Sequence, residues 1–155
     1  MAVTGATKKK KIQINFEKGG TLIAQFNDRA PESVKSLLEI LPIHSTIFHT
    51  RWCGREINLG IKTLTPPPQE NFSNIVSKFD IAYWRDWDNQ VGVSDQVVAE
   101  ALAIYYGPEI LRYHNGLLTT NIIGRVNWEQ EELLELIGLR IWEFGRERVS
   151  VEEYK

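Results

Sequence analysis

The chain has 155 residues, of which 43% are apolar and 25% charged, proportions that suit a globular domain and exclude a disordered or fibrous one. Its formal net charge is −2, and basic residues are dispersed except at Lys8-Lys9-Lys10-Lys11, so no nucleic-acid footprint is present. A single cysteine, Cys53, excludes an internal disulfide, and no apolar run approaches the ~20 residues of a membrane-spanning helix.

Residues 1–11 end in four lysines that pass directly into an alternating segment with no apolar signal region between, so they are expected to form a solvated basic arm on a cytoplasmic protein. Ile12, Ile14 and Phe16 alternate with Gln13, Asn15 and Glu17, predicting a half-buried strand. Lys18-Gly19-Gly20 suits a tight turn, and Leu22, Ala24 and Phe26 share one face of the return strand. Pro31 fits the first turn of a helix whose apolar stripe is Val34, Leu37, Leu38 and Leu41, with Glu32, Lys35, Ser36 and Glu39 toward water. Pro42 ends it.

Ile43–Trp52 predicts a third strand that turns at Cys53-Gly54 into Arg55–Leu59. From Gly60 to Phe79 periodicity disappears, and Pro66-Pro67-Pro68 cannot donate to a sheet; a surface excursion is expected there rather than a binding loop. Asp80–Trp84, Val97–Tyr106 and Asn121–Val126 read as further strands, with a polar turn region from Arg85 to Gln96. Asn127 caps a second helix with Gln130 at the reciprocal capping position, and Leu133, Leu134, Leu136 and Ile137 form its apolar face. Gly138 is expected to stop that helix, leaving Leu139–Phe144 and Glu147–Val151 as a closing hairpin around Gly145. The order predicts a mainly β fold over 12–155, a closed antiparallel barrel capped by two α-helices.

The run Gly20–Phe26 followed by Ala30-Pro31-Glu32-Ser33-Val34 resembles the opening of cyclophilins, and Thr46-Ile47-Phe48-His49 looks like their segment ending Phe-His-Arg. Asp80–Trp84, Tyr105-Tyr106-Gly107-Pro108, Asn121–Arg125 and the Trp52, Gly54, Glu56, Ile57 turn are closer to prokaryotic cyclophilin-like proteins of unknown function. The cyclophilin resemblance implies peptidyl-prolyl isomerase activity, in which an arginine acts from a strand facing an apolar proline pocket. Here Thr50 follows Phe48-His49 and Arg51 comes one place later, so strand alternation is expected to aim Arg51 at the opposite face. The next strand also lacks the glutamine and Gly-Gly-Asp of the isomerases. The group of unknown function implies only a barrel and a ligand pocket.

Other chemistries find little support. His44, His49 and His114 have no His or Cys partner at ligand spacing, so no metal is expected, and no cofactor fingerprint occurs. Cys53, flanked by Arg51 and Arg55, is read as a passive thiol rather than a nucleophile. Trp84-Arg85-Asp86-Trp87-Asp88 packs two tryptophans and three charges together, suiting a pocket lip. The candidate ligand-binding residues are therefore Arg51, Trp52, Glu56, Tyr83, Trp84, Tyr106 and His114, reading a small polar or carboxylate-bearing molecule. Arg51 or Arg55 would meet an anion, and Glu56 or His114 would move a proton if a reaction follows. Two alternatives stand beside this: a prolyl isomerase with a shifted arginine, and an assembly module whose hairpin Leu139–Val151 pairs with a second copy in a homo-oligomer.

Overall fold

Alternating apolar residues form strands here because they have a closed lumen to fill. The computed structural model describes residues 9–92 and 99–155. The barrel strands are β1 (Lys11–Phe16), β2 (Thr21–Phe26), β3 (Ile43–His49), β4 (Glu56–Gly60), β5 (Asp80–Arg85), β6 (Glu100–Tyr105), β7 (Thr120–Val126) and β8 (Glu147–Tyr154). Two helices, α1 (Pro31–Glu39) and α2 (Glu131–Phe144), separate them. The eight strands pair antiparallel in the order β2-β1-β8-β3-β4-β6-β5-β7, and β7 pairs back onto β2 to close the barrel. Of the expected strand Val97–Tyr106, residues 97 and 98 lie outside the described residues, as do residues 1–8 of the expected arm.

The lumen is filled by every strand: Ile12, Ile14, Leu22, Ala24, Ile47, Ile57, Leu59, Ile81, Leu102, Ile104, Ile123 and Val151 are all fully buried. Each large side chain so placed contributes roughly 2 kcal/mol of transfer free energy. Leu37 of α1 and Leu134, Ile137 and Ile141 of α2 join the same cluster from the ends. Ser36, expected toward water, is instead buried and donates its hydroxyl to the Thr65 carbonyl. Conversely Leu136, expected on the apolar face of α2, is exposed.

Closure depends on one irregularity. The β7–β5 register slips between Ile122 and Gly124, so Ile123 turns into the lumen while Gly124, Arg125 and Val126 reach β2. A side chain on Gly124 would place Cβ 2.3 Å from the Gln25 carbonyl oxygen. Only glycine fits that seam.

The end of the chain differs from expectation. Asn127 does cap, its side chain accepting from the Glu129 amide, but it opens a short 3-10 turn before α2. Gln130 does not reach back to it; its amide group bonds the backbone of Thr21 and Ile23 and pins the helix entry to β2. Gly138 does not stop the helix. It sits under the Tyr106 ring, where a Cβ would come within 2.4 Å, and α2 runs on to Gly145, whose φ of 88° is the conformation that ends it. Leu139–Phe144 is thus helix, and no hairpin 139–151 exists. β8 lies between β1 and β3 with both edges paired, so the expected strand-to-strand assembly surface is absent. Arg140 of α2 grips Glu147 of β8 through two hydrogen bonds of 2.9 and 3.1 Å and also bonds the Gly19 carbonyl, tying helix, last strand and first turn together.

The long excursion after β4 is a strap rather than a free loop. Glu70 accepts from the Ser33 amide at the start of α1, and the Asn121 side chain donates to Ser33 Oγ and the Pro68 carbonyl. Among the described residues no helix is long and apolar enough to cross a membrane.

Candidate functional site

Strands buried on one face alternate in character; β5 and β6 do not, because both of their faces are covered. Ile81, Leu102 and Ile104 look into the lumen, while Ala82, Ala103 and Tyr105 join a second apolar cluster with Cys53, Val76, Leu111 and Leu118 on the barrel's outer wall. Three small side chains stand side by side there: Ala82 and Ala103 are register partners, and Ala101 lies opposite Trp84. The space this leaves is a cavity of about 410 Å³. Its walls are Phe48, Trp52, Trp84, Val91, Ala101, Leu111 and Leu118, and its polar lining includes His49, Thr50, Arg51, Glu56, Asn58, Tyr105 and Thr120. The cavity therefore lies on the outer face of the barrel wall, not in the lumen.

Glu56 is the chemical centre of this cavity. It is only 7% exposed, and its Oε1 accepts from the Tyr105 hydroxyl at 2.7 Å, the two residues being direct register partners on β4 and β6. Asn58 and Thr50 also hydrogen-bond the carboxyl, but burial outweighs all three and pushes its pKa up to about 7. The same burial, with Glu56 beside it, holds the Tyr105 hydroxyl protonated far above the usual range. Cys53 is buried at the cavity edge, its thiol donating to the Arg112 carbonyl at 3.3 Å; burial and the nearby Glu56 push it up to about 12. That thiol is neutral and not a nucleophile.

The candidate residues divide. Arg51, Trp52, Glu56 and Trp84 all line the cavity. The expectation that Arg51 faces away from Phe48 fails, because β3 ends at His49 and the strand alternation ends with it. Thr50–Arg55 is an irregular loop, and Arg51 and Phe48 border the same space. Arg51 is exposed at the rim and forms no ion pair among the described residues. Arg55 is committed elsewhere, bonding Glu109 at 2.7 Å and the Pro108 carbonyl at 2.8 Å. His114 is exposed and lies against Trp52, ring centroids 5.7 Å apart.

Tyr83 and Tyr106 fall outside the cavity. Tyr83 points into the lumen side and donates to Glu100, with Trp87 edge-on against its ring. Tyr106 packs under α2, and its hydroxyl lies 2.6 Å from His49 Nε2. His49 Nδ1 is 3.1 Å from the Thr50 carbonyl, which can only accept, so Nδ1 carries the proton and Tyr106 donates to Nε2. The lip segment splits likewise: Trp84 lines the cavity, while the Asp86 carboxylate accepts from the amides of Val91 and Gly92 and closes a turn. Sequence reasoning missed Tyr105, Asn58 and Thr120. The signal for Tyr105 was parity with Glu56 across β4 and β6, which needs the register. Among the described residues no group of three or more His, Cys, Asp or Glu side chains is placed to hold a metal ion.

The chain belongs to a family described as protein of unknown function (DUF3830), whose model matches residues 14–152. Its fold is similar to that of McbB in complex with tryptophan (TM-score 0.67, 18% identity), a match covering 91% of this chain but 44% of McbB. It is also similar to the solution structure of the hypothetical protein AF2241 from Archaeoglobus fulgidus (TM-score 0.63, 22% identity), covering 97% of this chain and 98% of the other. No curated protein matches the chain.

Proposed function

We propose that this chain is a cyclophilin-like, small-molecule-binding domain whose outer-wall cavity takes a flat, apolar molecule bearing a carboxylate. The observation that carries this reading is a half-open space with Phe48, Trp52 and Trp84 as walls, a buried carboxyl at Glu56 and, at the rim, the Arg51 guanidinium, unpaired among the described residues. Apolar walls with few polar groups are the usual composition of a small-molecule site, and a free arginine suits a carboxylate. The volume accommodates a ligand of about a dozen heavy atoms, since pockets of this size hold small metabolites. That McbB was solved with tryptophan, an aromatic carboxylate, is consistent with such a ligand on this fold.

Isothermal titration with indole-3-acetate tests the reading. Binding that weakens at least tenfold in Arg51→Ala is the expected result; equal affinity for parent and variant contradicts it. One observation favours a second reading: Arg51 and Phe48 border one cavity, as a prolyl isomerase with a shifted arginine requires. Against it, the space meets a carboxyl and a phenol hydroxyl rather than a purely apolar floor for a proline ring. A protease-coupled proline-peptide assay separates the two, since isomerisation abolished by Arg51→Ala would favour the enzyme.

A further inference from the structure

Glu56 is a carboxyl in an apolar-walled cavity with three neutral hydrogen-bond donors and, among the described residues, no cation paired with it. The Tyr105 hydroxyl meets it from β6, Asn58 from β4 and Thr50 from the loop after β3. Charged and titratable groups surround the site without reaching it. Arg51 stands at the rim, Arg55 is held by Glu109, and the Cys53 thiol donates a hydrogen bond to the Arg112 carbonyl. His49, from β3, has both ring nitrogens engaged by Thr50 and Tyr106. Among the described residues Glu56 makes no ion pair. A buried carboxylate without a counter-ion is costly, and a cation brought by a ligand removes that cost.

We propose that the Glu56 end of the cavity is a subsite for a protonated nitrogen, so that the molecule bound there is an aromatic amine or zwitterion with its ammonium on Glu56. This rests on the small-molecule reading above and names the ligand class. The separation of roles follows from position: an exposed guanidinium meets an anion still partly in water, whereas the buried carboxyl needs a partner that enters the cavity.

Because burial raises the Glu56 pKa to about 7, part of the protein holds a neutral acid at neutral pH. An ammonium pairs with the carboxylate, so binding expels the carboxyl proton, which passes to the buffer while the amine keeps its own. Affinity for a permanently protonated amine therefore rises about tenfold from pH 6 to pH 8, as the ionised fraction grows.

The test uses the full chain in isothermal titration with indole, tryptamine, indole-3-acetate and tryptophan. Tryptamine is expected to bind at least tenfold tighter than indole, to tighten about tenfold between pH 6 and pH 8, and to release protons, seen as a heat that varies with the ionisation enthalpy of the buffer. In Glu56→Gln, tryptamine falls to the affinity of indole and its pH dependence flattens. Should Glu56→Gln fail to fold, proton release by the parent protein decides alone. Indole-3-acetate binding with tryptamine no better than indole overturns the amine subsite and leaves the small-molecule reading standing. Silence from all four probes overturns both.

Discussion

A carboxyl that stays protonated to near neutrality changes how the protein responds to pH. Folding raises the Glu56 pKa from 4.5 to about 7, so its neutral form contributes stability that is fully present below 4.5 and is lost as pH rises through 7. Glu56→Gln keeps an acceptor for Tyr105 and cannot ionise. Its stability relative to the parent is therefore expected to improve by roughly 3 kcal/mol between pH 4.5 and pH 8, measured by urea unfolding. A constant difference across that range would show that Glu56 is not desolvated. At this scale the sequence was partly readable. Glu56, Trp52 and Trp84 stood out as chemistry-bearing residues near strand ends, but their convergence rests on pairings between β4, β5 and β6 that lie far apart in the chain. Tyr105 and Tyr106 show the difficulty: adjacent and chemically identical, they face opposite sides, and only the β4 register tells which one meets Glu56.

Elements were legible where a single face is buried and obscure where two are. β1 and β2 carry clean alternation and form as expected. β5 reads as four consecutive buried residues, so its pattern does not say which face lines the cavity. α2 was cut short because Gly138 was read for conformational freedom, whereas it is there for space. Gly138→Ala accordingly pits a helix-propensity gain of about 1 kcal/mol against a steric clash with the Tyr106 ring. The clash is expected to win by about 1–2 kcal/mol in chemical denaturation, since overpacking a tight contact costs about 1–3 kcal/mol. A stabilised variant would mean that Tyr106 moves aside freely. The Arg140–Glu147 pair is less forgiving: the Glu147 side chain is fully buried, and Arg140→Ala leaves it without its cation. A loss of about 3–5 kcal/mol is expected in the same measurement.

At the scale of the whole molecule, the barrel and its two helices followed from the order of elements, while the site's position did not. Period-two reasoning assigns each strand an inside and an outside but is silent on whether the outside is wet. Here loops cover the outer wall over β4, β6 and β5 and turn it into a second, smaller interior. The two interiors are expected to separate experimentally. Ala101→Phe fills the cavity and is expected to abolish ligand binding while leaving the melting temperature within a few degrees. Its neighbour Leu102, fully buried in the lumen, is expected to cost about 2–5 kcal/mol as Leu102→Ala and to leave a folded fraction that still binds.

That back-to-back arrangement gives each inner strand a division of labour one residue wide. Substitutions at every second position are expected to reshape the outer cavity alone, and those between them to decide whether the barrel holds. A saturation scan of β6 would print that rule as a stripe of tolerance beside a stripe of intolerance.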